Sequence, residues 1–316
     1  MEKQDAQETH PEISVVVPVY NSEDCIQELI IRVGGALEPL SLSYEIVLVN
    51  DSSNDNSWEV IKKAALRNTH VVGICLRRNF GQDSALMAGL RAAMGNYVVI
   101  MDDDLQHDPV FIPMLYNEIR KGCDVVYGKY RHKKQKPWKN LGSAFNDRVA
   151  NIVLKKPREI YLSPYKIIAR QTVLAVCEYD GPFPYIDGLL FRVTRHVSQI
   201  DIRHQDRFAG RSNYTVVKSF LVWANLITSF SMVPLRLATI LGLVSSATGI
   251  LFGIYILIAK LIFPSPVQGW TSLFVSIFLL GGVQLFSIGM VGEYLGRLYQ
   301  NVSKQPQYVV SEMVGR

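Results

Sequence analysis

Asp102, Asp103 and Asp104 stand side by side in the run MDDDLQHDP, with Gln106 close behind. Adjacent carboxylates repel one another unless a cation neutralises them. Hard divalent ions such as Mg2+ or Mn2+ take oxygen ligands and bridge carboxylates to phosphates. An acidic trio alone is commonly a solvated turn. This one ends the apolar run YVVIMD (97–102), and three other polar clusters follow apolar runs in the same way. They are PVYNSED after ISVVVPV (13–19), NDSSNDNS after EIVLVN (45–50) and RRNFGQD after VVGICL (71–76). Four such clusters at the ends of four strands converge on one crevice.

The runs that position them are short and β-branched, and CIQELIIRVGGAL and DSALMAGLRAAM between them carry apolar residues at helical spacing. Strand, helix, strand at this rhythm predicts an α/β fold, a mostly parallel sheet with helices on both faces. Ligands of such sheets sit at the carboxyl ends of the strands. Further on, KYRHKKQKPWK (129–139) reads as a basic loop, 140–155 as an amphipathic helix, YKIIA (165–169) as a strand and HQDRFAGRSN as a polar loop. The basic run suits a solvated loop, a contact with anionic headgroups, or a guide for an acceptor phosphate.

Of the 316 residues 48% are hydrophobic, and the excess lies after residue 236. Residues 237–259 and 271–292 are uncharged and each exceeds the roughly 20 residues of a spanning helix. Residues 215–236 read as a helix on the membrane surface or as a core helix. Lys218, Arg236, Arg297, Lys304 and Arg316 flank the pair, against Lys260 alone in the connection, which predicts cytoplasmic termini and an inner-membrane, multi-pass protein. The polar residues 1–12 lack the apolar core of a signal peptide and are expected to be a disordered tail; 293–316 reads as a cytoplasmic tail. Four cysteines, about fifty residues apart, make no CxxC pair and suggest reduced, buried thiols. The net charge of +5 is mild, with no helix-turn-helix or zinc-finger spacing, so nucleic acid is not an expected partner. GxxxG spacing at Gly249/Gly253 and Gly292/Gly296 suggests helix packing within the hairpin or between copies in a homo-oligomer.

The ordered series SVVVPVYNSED, VNDSSNDNS, LRRNFGQDSALMAGL and MDDDLQHDP resembles the family 2 glycosyltransferases of GT-A fold. With RFAGRSNY (207–214) and two C-terminal spans ending in GEYLGRLY, it is similar to their polyprenyl-phosphate branch. That branch includes dolichyl-phosphate mannose synthases, bactoprenol glucosyltransferases and an aminoarabinose transferase. The resemblance implies a UDP- or GDP-sugar donor, an undecaprenyl or dolichyl phosphate acceptor in the bilayer, and Mg2+ or Mn2+. It further implies that Pro18, Tyr20, Asn21, Glu23 and Asn79 line the nucleotide pocket, with Asp51 bonding the base or ribose. Asp102 and Asp104 match the family's DxD and Gln106 its accompanying glutamine, a metal set, with Asp103 beside the donor where alanine is usual. Arg207 approaches the donor phosphates, Ser163 falls near a serine linked to the acceptor phosphate, and Lys129 or Arg131 stands for a displaced arginine. Asn50 and Ser52 replace the aspartate and glycine of the family's DDGS turn, and Asn213 a common lysine.

A lipid phosphate is mostly dianionic at neutral pH, its second pKa lying near 6. It needs positioning and charge compensation rather than a general base. The sequence contains no obvious Ser-His-Asp or Cys-His set, and Asp187 ranks low as a base. A processive polysaccharide synthase would carry QxxRW and more spans; a non-catalytic scaffold would not need the Asp102–Asp104 pair. Every residue assigned to donor and metal precedes Tyr214, so a chain ending there is expected to keep nucleotide binding.

Overall fold

A computed structural model describes residues 10–130, 160–202, 233–262, 269–303 and 305–316. Met1–Asn213 with Lys304–Arg316 form one compact unit and Tyr214–Ser303 a second. The predicted tail at 1–9, the helix at 140–155, the HQDRFAGRSN loop and 215–232 lie outside the described residues.

The first unit is built on eight strands: β1 (Ile13–Val19), β2 (Tyr44–Asn50), β3 (Val71–Leu76), β4 (Tyr97–Ile100), β5 (Val125–Tyr130), β6 (Lys166–Ala169), β7 (Val197–Ile202) and β8 (Val310–Val314). Their order is β7-β5-β6-β4-β1-β2-β3-β8. The pairings make β1 to β5 and β7 run one way, with β6 and β8 opposed. The fold is therefore the mostly parallel α/β sheet that the alternation of elements predicted. Residues 129 and 130, read as part of a basic loop, instead finish β5.

The helices form because their apolar residues recur every three or four positions. In α1 (Glu23–Leu37) these are Ile26, Leu29, Ile30, Val33 and Leu37, all buried. Together with α2 (Ser57–Arg67) and α4 (Ile112–Ile119), α1 covers one face of the sheet. On the other face lie α3 (Gln82–Ala92), α5 (Arg170–Cys177) and α6 (Ile186–Val193). α3 lies close on the sheet because Gly89 faces it: a Cβ there would come within 2.4 Å of Val16 Cγ1.

Chain order in the sheet reverses at β1, from which β2 and β3 extend one way and β4 the other. Strand ends diverge at such a switch point and leave a crevice. Pro18 contributes to this. The Met101 N–H donates to Val16 O at 3.3 Å, so the alternation of the strand turns the nitrogen of Pro18 toward β4 as well. Having no N–H, Pro18 cannot extend the β1–β4 ladder, whose last pair is Val16 with Ile100.

β8 is absent from the sequence reading, which made 293–316 a tail. It pairs antiparallel with β3, from Gly73 opposite Val314 to Leu76 opposite Val310. It covers the edge that β3 would otherwise expose. The expectation that a chain ending near Tyr214 keeps nucleotide binding is corrected accordingly, because such a chain lacks a strand of its own sheet.

In the second unit, α7 (Val233–Ile262) and α8 (Trp270–Val302) pack on each other. Leu235–Tyr255 in α7, with mean hydropathy 2.0, is long and apolar enough to cross a membrane. Leu243, Leu251 and Leu285 are 66%, 69% and 73% exposed, as suits helices solvated by lipid. A Cβ at Gly249, Gly253, Gly292 or Gly296 would meet no described atom within 4 Å, so the GxxxG pairs do not pack the hairpin against itself.

Candidate functional site

The crevice is lined by the turns that leave β1, β2, β3 and β4, as the four polar clusters predicted. Their side chains mostly hold one another. The Asn21 N–H donates to Ser53 Oγ (3.0 Å), and Asn21 Oδ1 accepts from the Asn54 N–H (2.8 Å). Glu23 Oε2 accepts from the Asn56 N–H (2.9 Å), while Asp55 Oδ2 accepts from the Glu23 N–H (3.1 Å). Asn21 and Glu23, expected in the nucleotide pocket, therefore stitch the first turn to the second. Pro18 is buried within β1, whereas Tyr20 is 46% exposed and Asn79 is exposed. Those two remain the side chains of this group that present surface to a ligand.

Ser52 has φ 56°, the left-handed conformation glycine adopts freely. The turn thus keeps its geometry although serine replaces the family's glycine. Ser52→Gly should raise stability by about 0.5 kcal/mol, because relief of roughly 1–2 kcal/mol of strain exceeds the extra chain entropy lost. Urea midpoints of the two proteins check the sign.

Asp51 is 3% exposed, and its two oxygens accept from the Phe80 and Gly81 N–H groups, both at 2.8 Å. Burial pushes its pKa up, and the two amide donors pull it back. This carboxylate holds the turn after β3; contact with a base or ribose rests on the resemblance alone. The same turn carries Gln82, whose Nε2 donates to Asp102 Oδ1 at 2.8 Å. Gln82 was legible only as part of RRNFGQD and was assigned no role.

In the acidic turn the three carboxylates divide. Asp103 turns toward the β1 turn, where its Oδ2 accepts from Ser22 Oγ–H (2.5 Å) and the Tyr20 N–H (3.1 Å). Burial pushes its pKa up to about 6, the bonds from Ser22 and Tyr20 oppose the rise, and the charges of Asp102 and Asp104 add to it. Its expected place beside the donor becomes a bracket between two turns. Asp102 and Asp104 point elsewhere, with Asp104 Oδ1 accepting from the Gln106 N–H at 3.1 Å. Leu105, buried and at φ 58°, makes the sharp bend that separates them. His107 completes the turn: its Nδ1 accepts from the Asp102 N–H (3.1 Å), and its ring stacks on Tyr165 at 5.4 Å. A nitrogen accepting that N–H cannot also donate to Asp102 Oδ2 at 3.6 Å, so the pair is not an ion pair through Nδ1.

Half-buried Asp102 and Asp104 supply the carboxylate oxygens that Mg2+ or Mn2+ prefers. Gln106 joins them through its backbone N–H to Asp104. Among the described residues no group of three or more His, Cys, Asp or Glu side chains encloses an ion. The donor set fits a cation whose remaining ligands come from a diphosphate and water, the usual habit of Mg2+.

Next to this turn lies a second polar cluster. Asp187, in the first turn of α6, accepts from Lys166 Nζ and, at 3.0 Å, from Tyr127 Oη–H. An aspartate so engaged is poorly suited to act as a base, in line with its low rank. Asp83 Oδ1 accepts from the Ile186 N–H at 3.3 Å. Its pKa is pushed up to about 6 by burial, lowered by that N–H, raised by Asp187 and lowered by Lys166. A carboxyl that holds its proton more tightly folded than unfolded loses stability as pH rises from 3.8 to about 6, and no further above. Asp83→Asn should therefore gain stability relative to wild type across that window and keep a constant difference above it. Urea midpoints at a series of pH values check this.

Ser163 is fully buried, and its Oγ accepts from the Tyr165 N–H at 3.2 Å. The assignment to the acceptor phosphate is corrected, since this hydroxyl has no accessible surface. Lys129 sits half-buried in β5, at the crevice end, opposite Asp201 of β7. Arg131 and Arg207 lie outside the described residues.

Comparison with known proteins agrees with this architecture. Residues 14–175 match the glycosyl transferase family 2 model. The chain is 33% identical over 309 residues to undecaprenyl-phosphate 4-deoxy-4-formamido-L-arabinose transferase of Shewanella sediminis, covering 96% of this chain and 92% of that one. It is likewise 33% identical over 308 residues to an uncharacterized glycosyltransferase of Synechocystis, covering 96% of each. Glucosyl-3-phosphoglycerate synthase from Mycobacterium tuberculosis, solved with Mn2+, UDP-glucose and phosphoglyceric acid, superposes with TM-score 0.51 at 19% identity, over 70% of this chain and 78% of that one. This likeness shows a shared GT-A fold.

Proposed function

Because the chain belongs to glycosyl transferase family 2, we propose that it moves a sugar from a nucleotide-sugar onto the phosphate of a polyisoprenyl lipid. The observation that carries this reading is the pair Asp102 and Asp104, set apart from Asp103 at the switch point of the sheet. It is supported by likeness along 96% of the chain to a relative named for transfer to undecaprenyl phosphate. Asp102 and Asp104 hold a divalent cation against the donor diphosphate, as the Mn2+ and UDP-glucose named with the Mycobacterium tuberculosis synthase suggest. The cation stabilises charge on the departing nucleoside diphosphate.

The chain's own residues do the rest. Gln82 and His107 fix Asp102, one by its side-chain amide and one by its ring, while the Gln106 N–H fixes Asp104. Tyr20 and Asn79 face the nucleotide. Lys129, Arg131 and Arg207 supply positive charge, which lets a phosphate dianion approach a diphosphate. Attack by a lipid phosphate oxygen at the anomeric carbon, with cleavage of the bond to the diphosphate, inverts that centre and needs no base.

Connectivity supports the membrane reading. Residues on both sides of the helical unit belong to one sheet, so the chain between them crosses a bilayer an even number of times. If α7 crosses, α8 crosses back; its 33 residues reach about 50 Å. The excess of Lys and Arg flanking the hairpin places the sheet in the cytoplasm.

The test is to incubate full-length protein in lipid vesicles containing polyprenyl phosphate with radiolabelled UDP- and GDP-sugars, with and without Mn2+ or Mg2+. Label should pass into the organic-extractable lipid only with a divalent ion. No transfer from any donor overturns the reading.

A further inference from the structure

The last ten residues do more than cover an edge. Gln307, which begins the segment, is 5% exposed, and its Nε2 donates to Tyr179 O and Gly181 O, both at 2.7 Å. Arg91 of α3 holds the same turn from the other side, donating to Tyr179 O (3.0 Å), and lies 5.7 Å over the ring of Tyr308. The chain then pairs with β3. The Arg77 N–H donates to Val309 O at 2.8 Å, and Ser311 Oγ–H donates to Cys75 O at 3.0 Å. Gly315, at φ 87°, runs so close to β3 that a Cβ would lie 2.2 Å from Val71 O. Arg316, the last residue, reaches buried Glu45 at 3.4 Å.

These anchors fall on the two segments that lead into the crevice. Arg77 opens the turn that carries Phe80 and Gly81, which Asp51 grips, and Gln82, which holds Asp102. The turn at 179–181 leads into α6, whose Ile186 N–H meets Asp83, the residue after Gln82. A strap fixed to both segments sets the distance between them.

We infer that residues 307–316 are a positioning element of the transfer site, and that Gln307 is a positioning residue for the donor. The inference rests on the function proposed above. The strap acts as an added strand, whose affinity comes from main-chain hydrogen bonds. Its effect therefore falls on the donor side of the reaction and not on the lipid.

Two variants of the full-length protein test this, each assayed in vesicles with the donor that wild type uses and titrated with UDP and GDP in Mn2+. Gln307→Leu keeps the volume of the side chain and removes both donated bonds. It should stay folded, with donor KM raised about tenfold, nucleoside diphosphate binding weakened similarly, and lipid KM within about twofold; tenfold corresponds to about 1.4 kcal/mol. A chain ended after Lys304 should lose donor affinity further, and a synthetic peptide of residues 305–316 should restore it. If both variants keep wild-type donor KM, or if the peptide binds the shortened chain without restoring donor affinity, the positioning role is overturned. If wild type itself binds neither UDP nor GDP with Mn2+, the function proposed above fails first.

Discussion

Asp104→Asn should reduce transfer by about a thousandfold while leaving the fold unchanged. Asparagine matches the shape of the carboxylate, and its Oδ1 can still accept from the Gln106 N–H, so the acidic turn keeps its geometry. What disappears is one negative oxygen donor where the leaving diphosphate gathers charge. A cation at that position stabilises a phosphoryl leaving group by several kcal/mol, and about 4 kcal/mol corresponds to a factor of about a thousand. Transfer into extractable lipid at saturating Mn2+, with thermal melting as a control, measures both parts. Wild-type turnover would remove Asp104 from the donor site. Asp103→Asn provides the contrast: it faces Ser22 and Tyr20, so its cost should appear in melting temperature as well as in rate.

Asp51→Ala should destabilise the protein by about 3 kcal/mol, the sum of two charge-assisted bonds at roughly 1.5 kcal/mol each. The Phe80 and Gly81 N–H groups lose their acceptor inside a buried turn, where an unmade hydrogen bond is costly. Melting temperature should fall by roughly 6–12 °C for a unit of this size. Transfer should fall too, since Gln82 in that turn no longer holds Asp102. A residue that only bonds a base or ribose would leave melting unchanged when removed. An unshifted melting temperature with weakened nucleotide binding would therefore return Asp51 to the role the resemblance implies.

Asp102, Asp103 and Asp104 show how far the sequence could be read. Their place after an apolar run predicted a crevice lining, and the switch point between β1 and β4 provides it. The sequence did not assign one of the three to the protein itself, because that depends on Ser22 and Tyr20, some eighty residues away. Ser163 failed for a similar reason: its neighbourhood suggested a phosphate, but burial under the sheet end leaves its hydroxyl only the Tyr165 N–H. His107 stood in plain view in QHDP, and only its stacking on Tyr165 gives it a task.

What the sequence determined was local in origin. Runs of β-branched residues with polar turn-formers at their ends define strands and a crevice, and apolar spacing defines the helices on either face. Two long uncharged stretches define a helical unit of their own, since no short-range alternative buries so many apolar side chains. What the tertiary structure decided were pairings between residues distant along the chain. β8 has mostly exposed side chains, and so lacks the apolar run that announces a strand. It becomes one because β3 offers unpaired N–H and C=O groups more than two hundred residues earlier. Hydrogen-bonding need at a sheet edge is a property of the folded surface, and no window of sequence contains it.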